Sequence, residues 1–180
     1  MSWEFTTTTA AQTQTIAERL GRLLQAGDLL VLSGELGAGK TTFTQGLGVG
    51  LGVRAGIISP TFVLVRIHPN LPDGPNPGGP DLVHVDAYRL GSAAEIDDID
   101  LENTMDSAVT VVEWGTDRVE HLAASRLEVD LLRATGDAGT APGHDEFDYT
   151  SEDDDESRLI RLRAIGPRWA GVDFAALAVE

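Results

Sequence analysis

At 180 residues and 42% apolar composition, the chain is long enough for one domain with a substantial core. It has no cysteine, which excludes disulfides, thiolate metal sites and a cysteine nucleophile, and its net charge of −16 argues against direct binding to a nucleic-acid backbone. No apolar run approaches the roughly 20 residues of a bilayer span, and Met1-Ser2-Trp3-Glu4-Phe5 lacks the basic-then-apolar layout of a signal peptide, so a cytoplasmic enzyme or switch with no membrane association is expected.

In chain order, Thr6, Thr7, Thr8 and Thr9 are β-branched and polar, suited to a short strand or sheet edge. Ile16, Ala17, Leu20, Leu23 and Leu24 then recur at helical spacing, with Thr13 or Thr15 as candidate cap and Gly27 as the stop. Residues 29–32 form a strand apolar on both faces, which suits a central and mainly parallel position. The stretch from Gly34 to Thr41 follows at once and matches G-x-x-x-x-G-K-[ST] residue for residue. A helix is expected from Lys40 to about Gly48. It should end between Gly48 and Gly52, since each interior glycine costs up to about 1 kcal/mol.

Residues 57–67 read as a turn into a strand, with the Ser59-Pro60 step fixing the chain before a β-branched run. Between Pro69 and Pro80 lie five prolines and three glycines, counting both ends, which predicts an exposed hairpin loop. A strand at 82–86 ends in Asp86, a short helical stretch runs from Gly91 or Ser92 through Leu101, and a buried strand at 108–114 carries Glu113 near its end. Residues 116–125 are expected to be helical. The alternating segments 126–132 and 158–164 are expected to pair as a hairpin across an acidic, flexible insertion at about 134–157. Eight acids and no Lys or Arg lie between Asp145 and Glu156; setting them aside leaves 21 acids against 13 bases, a charge of −8 that is still acidic. A short helix is expected over 166–180. The pattern predicts a single α/β domain over 1–180, a three-layer sandwich like that of P-loop nucleotide hydrolases. Its mixed central sheet should have parallel core strands and antiparallel late strands.

Strand, Gly-rich loop and helix in that order are what a phosphate-binding loop requires. Backbone N–H groups of Glu35, Leu36, Gly37, Ala38 and Gly39 can form a nest around phosphates at a helix N-terminus. Lys40 would neutralise the β- and γ-phosphates, the Thr41 hydroxyl would ligate Mg²⁺, and Thr42 completes the loop. In an open α/β sheet the carboxyl ends of strands face the ligand crevice, so Asp86 and Glu113 are the carboxylates best placed to meet Thr41 around the metal. One would ligate Mg²⁺ and the other would orient the attacking water. Thr61 lies in a loop where a hydroxyl senses the γ-phosphate in switch-type hydrolases. Arg89 is a candidate for pairing with these acids or for stabilising developing charge, Arg66 and Arg118 are weaker candidates, Trp114 is read as a packing anchor, and the four histidines receive no role.

Taken together, GELGAGKTTFTQGL, SPTF, HVDAYRL and VEWG resemble the bacterial TsaE (YjeE-type) family over about residues 6–132, with weaker agreement at 158–166. The resemblance implies a small Mg²⁺-dependent ATPase, weak alone, that acts with the TsaB–TsaD pair. In that system TsaD transfers a threonylcarbamoyl group to N6 of adenosine 37 in ANN-decoding tRNAs, and ATP hydrolysis resets the complex. It also implies that Gly37, Gly39, Lys40, Thr41 and Thr42 hold phosphates and metal, that Asp86 and Glu113 sit at the magnesium, and that residues 59–62 form a switch-like loop. Contact with tRNA would then run through the partners, which agrees with the acidic charge. The alternatives are a small-molecule kinase using the same loop and a nucleotide-dependent interaction module. No N-K-x-D guanine-reading motif is present, which favours ATP.

Overall fold

A computed structural model of the chain describes residues 1–97, 99, 101–133 and 157–179. The acidic stretch expected to be flexible, 134–157, lies outside them apart from Ser157. Among the described residues seven strands form one sheet: β1 (Ser2–Thr7), β2 (Leu29–Ser33), β3 (Val65–His68), β4 (Asp81–Asp86), β5 (Ala108–Glu113), β6 (Arg126–Arg133) and β7 (Arg158–Ile165). Their spatial order is β1-β7-β6-β2-β5-β4-β3. The four central strands, β6, β2, β5 and β4, are mutually parallel. The flanks are antiparallel, β7 to β6, β1 to β7, and β3 to β4. The expected β6–β7 hairpin pairing is present, and the other side of β6 joins β2 in parallel register, which makes it a mixed-sheet strand.

Alternation along the central strands feeds two apolar layers. Leu30, Leu32, Val109, Val111, Leu127 and Val129 face helices α1 (Ala10–Gly21) and α2 (Lys40–Leu51). Leu29, Val31, Val83, Val85 and Val112 face the short helices α3 (Ala93–Asp97) and α4 (Glu102–Met105), together with Val119. The result is the expected helix–sheet–helix layering, with one helical layer much thinner than the other.

Several local expectations shift. The first strand begins at Ser2, because Trp3, Phe5 and Thr7 turn inward while Glu4 and Thr6 stay exposed. Thr9, not Thr13 or Thr15, caps α1: its hydroxyl accepts from the Gln12 N–H at 3.2 Å. Thr13 instead meets the Thr7 hydroxyl at 2.9 Å in the interior. The helix stops at Gly21, short of Leu23 and Leu24. β3 starts only at Val65, since Val63 and Leu64 both donate backbone N–H groups to the Pro60 carbonyl and close a turn. The stretch beyond β5 is not the expected helix. Trp114 and Asp117 take positive φ values of 60° and 62°, which breaks helical continuity and leaves one 3₁₀ turn, Glu120–Leu122. Past Gly166 the chain makes two 3₁₀ turns, not the expected helix, and buries Trp169, Phe174 and Leu177 against the core.

The glycines of α2 have a packing reason that propensity hid. A Cβ on Gly46 would collide with the Gln14 carbonyl and lie 2.7 Å from Ala17 Cβ, and one on Gly50 would strike the Glu18 carbonyl. The two helices therefore meet almost backbone to backbone along the middle and C-terminal part of α2. The Pro- and Gly-rich loop between β3 and β4 is tied to the other end of α2. Leu71 donates to Gly52 O at 2.9 Å, and Arg54 donates to Pro69 O at 2.9 Å.

Candidate functional site

The loop from β2 to α2 owes its shape to Gly37 and Gly39. They hold φ values of 76° and 102°, where a side chain would be strained. Gly39 is the N-cap of α2, and no side chain caps that end. Its first N–H groups stay available at the end where the helix dipole is positive.

Lys40 opens α2 and is buried. Its Nζ donates to the carbonyls of Gly34 at 2.7 Å and Glu35 at 2.9 Å, and lies 4.4 Å from the centre of the Trp114 ring. Burial pushes its pKa below the usual lysine value, against the opposing pull of the Glu113 and Asp86 carboxylates. The ammonium thus sits on the loop within the field of both acids.

Those acids arrive from parallel strands. β2, β4 and β5 all run towards the same edge, and Asp86 is the register partner of Glu113, which is itself the partner of Leu32. Asp86 Oδ1 accepts from the Tyr88 N–H at 2.9 Å. Glu113 Oε1 lies 2.7 Å from His84 Nε2 in a fully enclosed contact. The Ala87 N–H donates to the Glu113 carbonyl at 2.9 Å and binds the two strand ends together.

A pocket of about 350 Å³ opens here. Gly37, Gly39, Lys40, Thr41 and Thr42 form one wall, Asp86 and Glu113 the floor, and Ser59, Thr61, Leu36 and Trp114 the rim. Of the loop residues 35–42, Thr61, Asp86 and Glu113 expected from sequence, the structure thus brings together all but Glu35 and Ala38. Ala38 is buried in the core, and Glu35 is exposed, with its backbone carbonyl accepting from Lys40 Nζ. Thr61 is held by a 2.7 Å hydrogen bond between its hydroxyl and that of Ser59. Among the described residues no group of three or more His, Asp or Glu side chains is arranged to hold a metal. Thr41, Asp86 and Glu113 offer one hydroxyl and two carboxylates, an all-oxygen set that suits Mg²⁺, which takes its remaining ligands from phosphates and water.

Arg89 lies over the exposed Phe62 ring, 5.1 Å from its centre, and is not part of the pocket wall. Three residues enter the site without having been assigned to it. Trp114 is more than an anchor: it lines the pocket, with Lys40 over its face and Tyr88 edge-on at 5.3 Å. Its positive φ directly after the strand is the local device that turns it inward. Arg133, the last residue of β6, packs against Gly37 closely enough that a Cβ there would meet its guanidinium. His84 contacts Glu113 across the strands. Arg133 is far from the loop in sequence, and although His84 opens the HVDAYRL stretch, nothing in that stretch places it against Glu113.

Comparison with known proteins bears on the same residues. The family model described as threonylcarbamoyl adenosine biosynthesis protein TsaE matches residues 7–140. The tRNA threonylcarbamoyladenosine biosynthesis protein TsaE of Streptomyces coelicolor is 48% identical over 164 residues, covering 91% of this chain and 97% of that protein. The protein of the same name from Bacillus subtilis is 36% identical over 127 residues, 70% of this chain and 75% of that one. Among solved structures, the Bacillus subtilis protein YdiB superposes with a TM-score of 0.66 at 28% identity, covering 94% of this chain and 90% of that one.

Proposed function

The chain belongs to the TsaE family, and from that premise we propose that it is a Mg²⁺-dependent ATPase serving the threonylcarbamoyladenosine modification of tRNA. The observation that carries this reading is the convergence of Lys40, Asp86 and Glu113 on one pocket at the carboxyl ends of parallel strands.

The loop N–H groups and the N-terminus of α2 receive the phosphates of ATP, and Lys40 supplies the positive charge that grows in value as the γ-phosphoryl group departs. Thr41 and Asp86 would hold Mg²⁺, which when bound would offset the negative charge of the phosphates. Glu113 orients the attacking water. Thr61 reads the γ-phosphate, so the loop at 59–62 differs between ATP and ADP states.

Turnover in such a site changes the shape of a switch-like loop rather than the structure of a small acceptor. As the resemblance to the TsaE family implies, we assign the chain to a cytoplasmic complex with the TsaB–TsaD pair, where TsaD transfers threonylcarbamoyl to N6 of adenosine 37 and ATP hydrolysis resets the complex. Contact with tRNA is carried by the partners, consistent with a charge of −16 here. The test is phosphate release from ATP by the full chain, alone and with TsaB–TsaD. Stimulation by the pair is expected. Turnover only after addition of a small hydroxylated acceptor would instead identify a small-molecule kinase, and ATP binding without turnover under either condition would identify an interaction module.

A further inference from the structure

We propose that His84 is a positioning residue for Glu113, holding one carboxylate oxygen inside the fold so that the other is presented to the pocket. The inference rests on the reading of Glu113 as the group that orients the attacking water.

His84 occupies an aliphatic site. Its strand neighbours Leu82, Val83 and Val85 are at most 2% exposed, and His84 itself is fully buried. Its register partner on β5 is Val111, two residues before Glu113 and on the same face of the sheet. An apolar side chain would fill this position without the cost of burying a polar ring. The ring keeps that cost only partly offset: Nε2 meets Glu113 Oε1 at 2.7 Å, while Nδ1 is buried with no hydrogen-bond partner among the described residues. An ionised carboxylate only accepts, so Nε2 carries the proton and donates it. The single bond the ring makes is therefore to the carboxylate at the floor of the pocket.

The geometry has a consequence for that carboxylate. Glu113 has three side-chain rotors, and its side chain lines the pocket. A fixed donor behind Oε1 removes the freedom that would otherwise scatter Oε2, and orientation of a reacting water is sensitive to displacements of about 1 Å. The role predicted for His84 is thus on the rate of hydrolysis and not on the affinity for nucleotide, because Glu113 is not among the groups that grip the phosphates.

The experiment compares the full-length wild type with H84L, H84N, H84Q, E113Q and H84L/E113Q. It reads the single-turnover rate at saturating Mg²⁺–ATP, ATP affinity, and thermal melting. H84L is expected to slow turnover on the order of tenfold with ATP affinity within about twofold of wild type. H84N, too short to reach Glu113, behaves the same and carries this arm if H84L does not fold. H84Q places an amide donor near the position of Nε2 and recovers most of the rate. In the E113Q background H84L has no further effect. A folded H84L or H84N with the wild-type rate, beside a slow E113Q, overturns the inference and leaves the reading of Glu113 intact. Equal slowing by H84L with and without Glu113 also overturns it, since the effect would then be structural. An E113Q variant with the wild-type rate overturns both.

Discussion

Asp86 and Glu113 are register partners on the parallel strands β4 and β5, so two acidic side chains leave the sheet side by side at one edge. Two carboxylates held this close are costly unless a cation lies between or beside them. Lys40 supplies part of that charge. The all-oxygen set around Thr41 is suited to a divalent ion for the rest.

Asp86 is tested by its metal dependence. D86A is expected to lower ATP turnover by about 10²-fold or more and to weaken ATP binding in Mg²⁺ while leaving binding in EDTA unchanged. Calorimetric titration under both conditions measures this. Equal weakening with and without Mg²⁺ would make Asp86 a structural residue.

Thr61 predicts a discrimination effect. Its hydroxyl is pre-set by Ser59 at 2.7 Å. T61V is expected to lose affinity for ATP by roughly tenfold, the value of one hydrogen bond to a charged group, while ADP affinity stays the same. Competition binding with the two nucleotides checks it, and parallel loss of both would remove Thr61 from γ-phosphate sensing.

The contact of α1 with α2 gives a stability prediction whose sign opposes helix propensity. Alanine is the better helix former by about 1 kcal/mol, yet G46A and G50A are expected to destabilise the fold by about 1–3 kcal/mol through overpacking, because backbone carbonyls of α1 occupy the space. G48A meets only side-chain atoms, the end of Ile57 and more distantly a methyl of Val53, and is expected to cost less. Denaturant unfolding of the three variants ranks them.

His68 sets a pH dependence. Burial first, then His84, Arg66 and Arg54, holds its pKa below the usual histidine value. Its Nε2 is buried without a partner among the described residues. The unfolded chain therefore binds the proton more readily than the folded one, so stability rises with pH up to the unfolded value near 6.5 and is level above it. Melting temperature should fall as pH drops below about 6.5, and less so in H68L. Identical slopes for the two proteins would contradict this.

What the sequence made legible was what is local in it. The Gly34–Thr41 motif is eight consecutive residues, and the strand-end positions of Asp86 and Glu113 follow from apolar runs that stop at an acid. The parallel register that aligns those two acids was implied only by their both being strand ends. The features that escaped depend on contacts distant in sequence. His84 sits 29 residues from the carboxylate it meets. Arg133 reaches Gly37 only because β6 lies parallel beside β2. The glycines of α2 looked like helix breakers, because the backbone of α1 against them is invisible in a propensity scale. The helix expected after β5 failed for a different reason: two residues with positive φ, neither of them glycine, interrupt it.

The central claim, that ATP is hydrolysed at the Gly34–Thr41 loop, is tested most directly by phosphate release from Mg²⁺–ATP in K40A beside the wild type, with the TsaB–TsaD pair present. The variant removes the ammonium that bonds the carbonyls of Gly34 and Glu35 and feels the two carboxylates. Loss of turnover by about 10²-fold or more is predicted; turnover equal to the wild type would contradict the assignment.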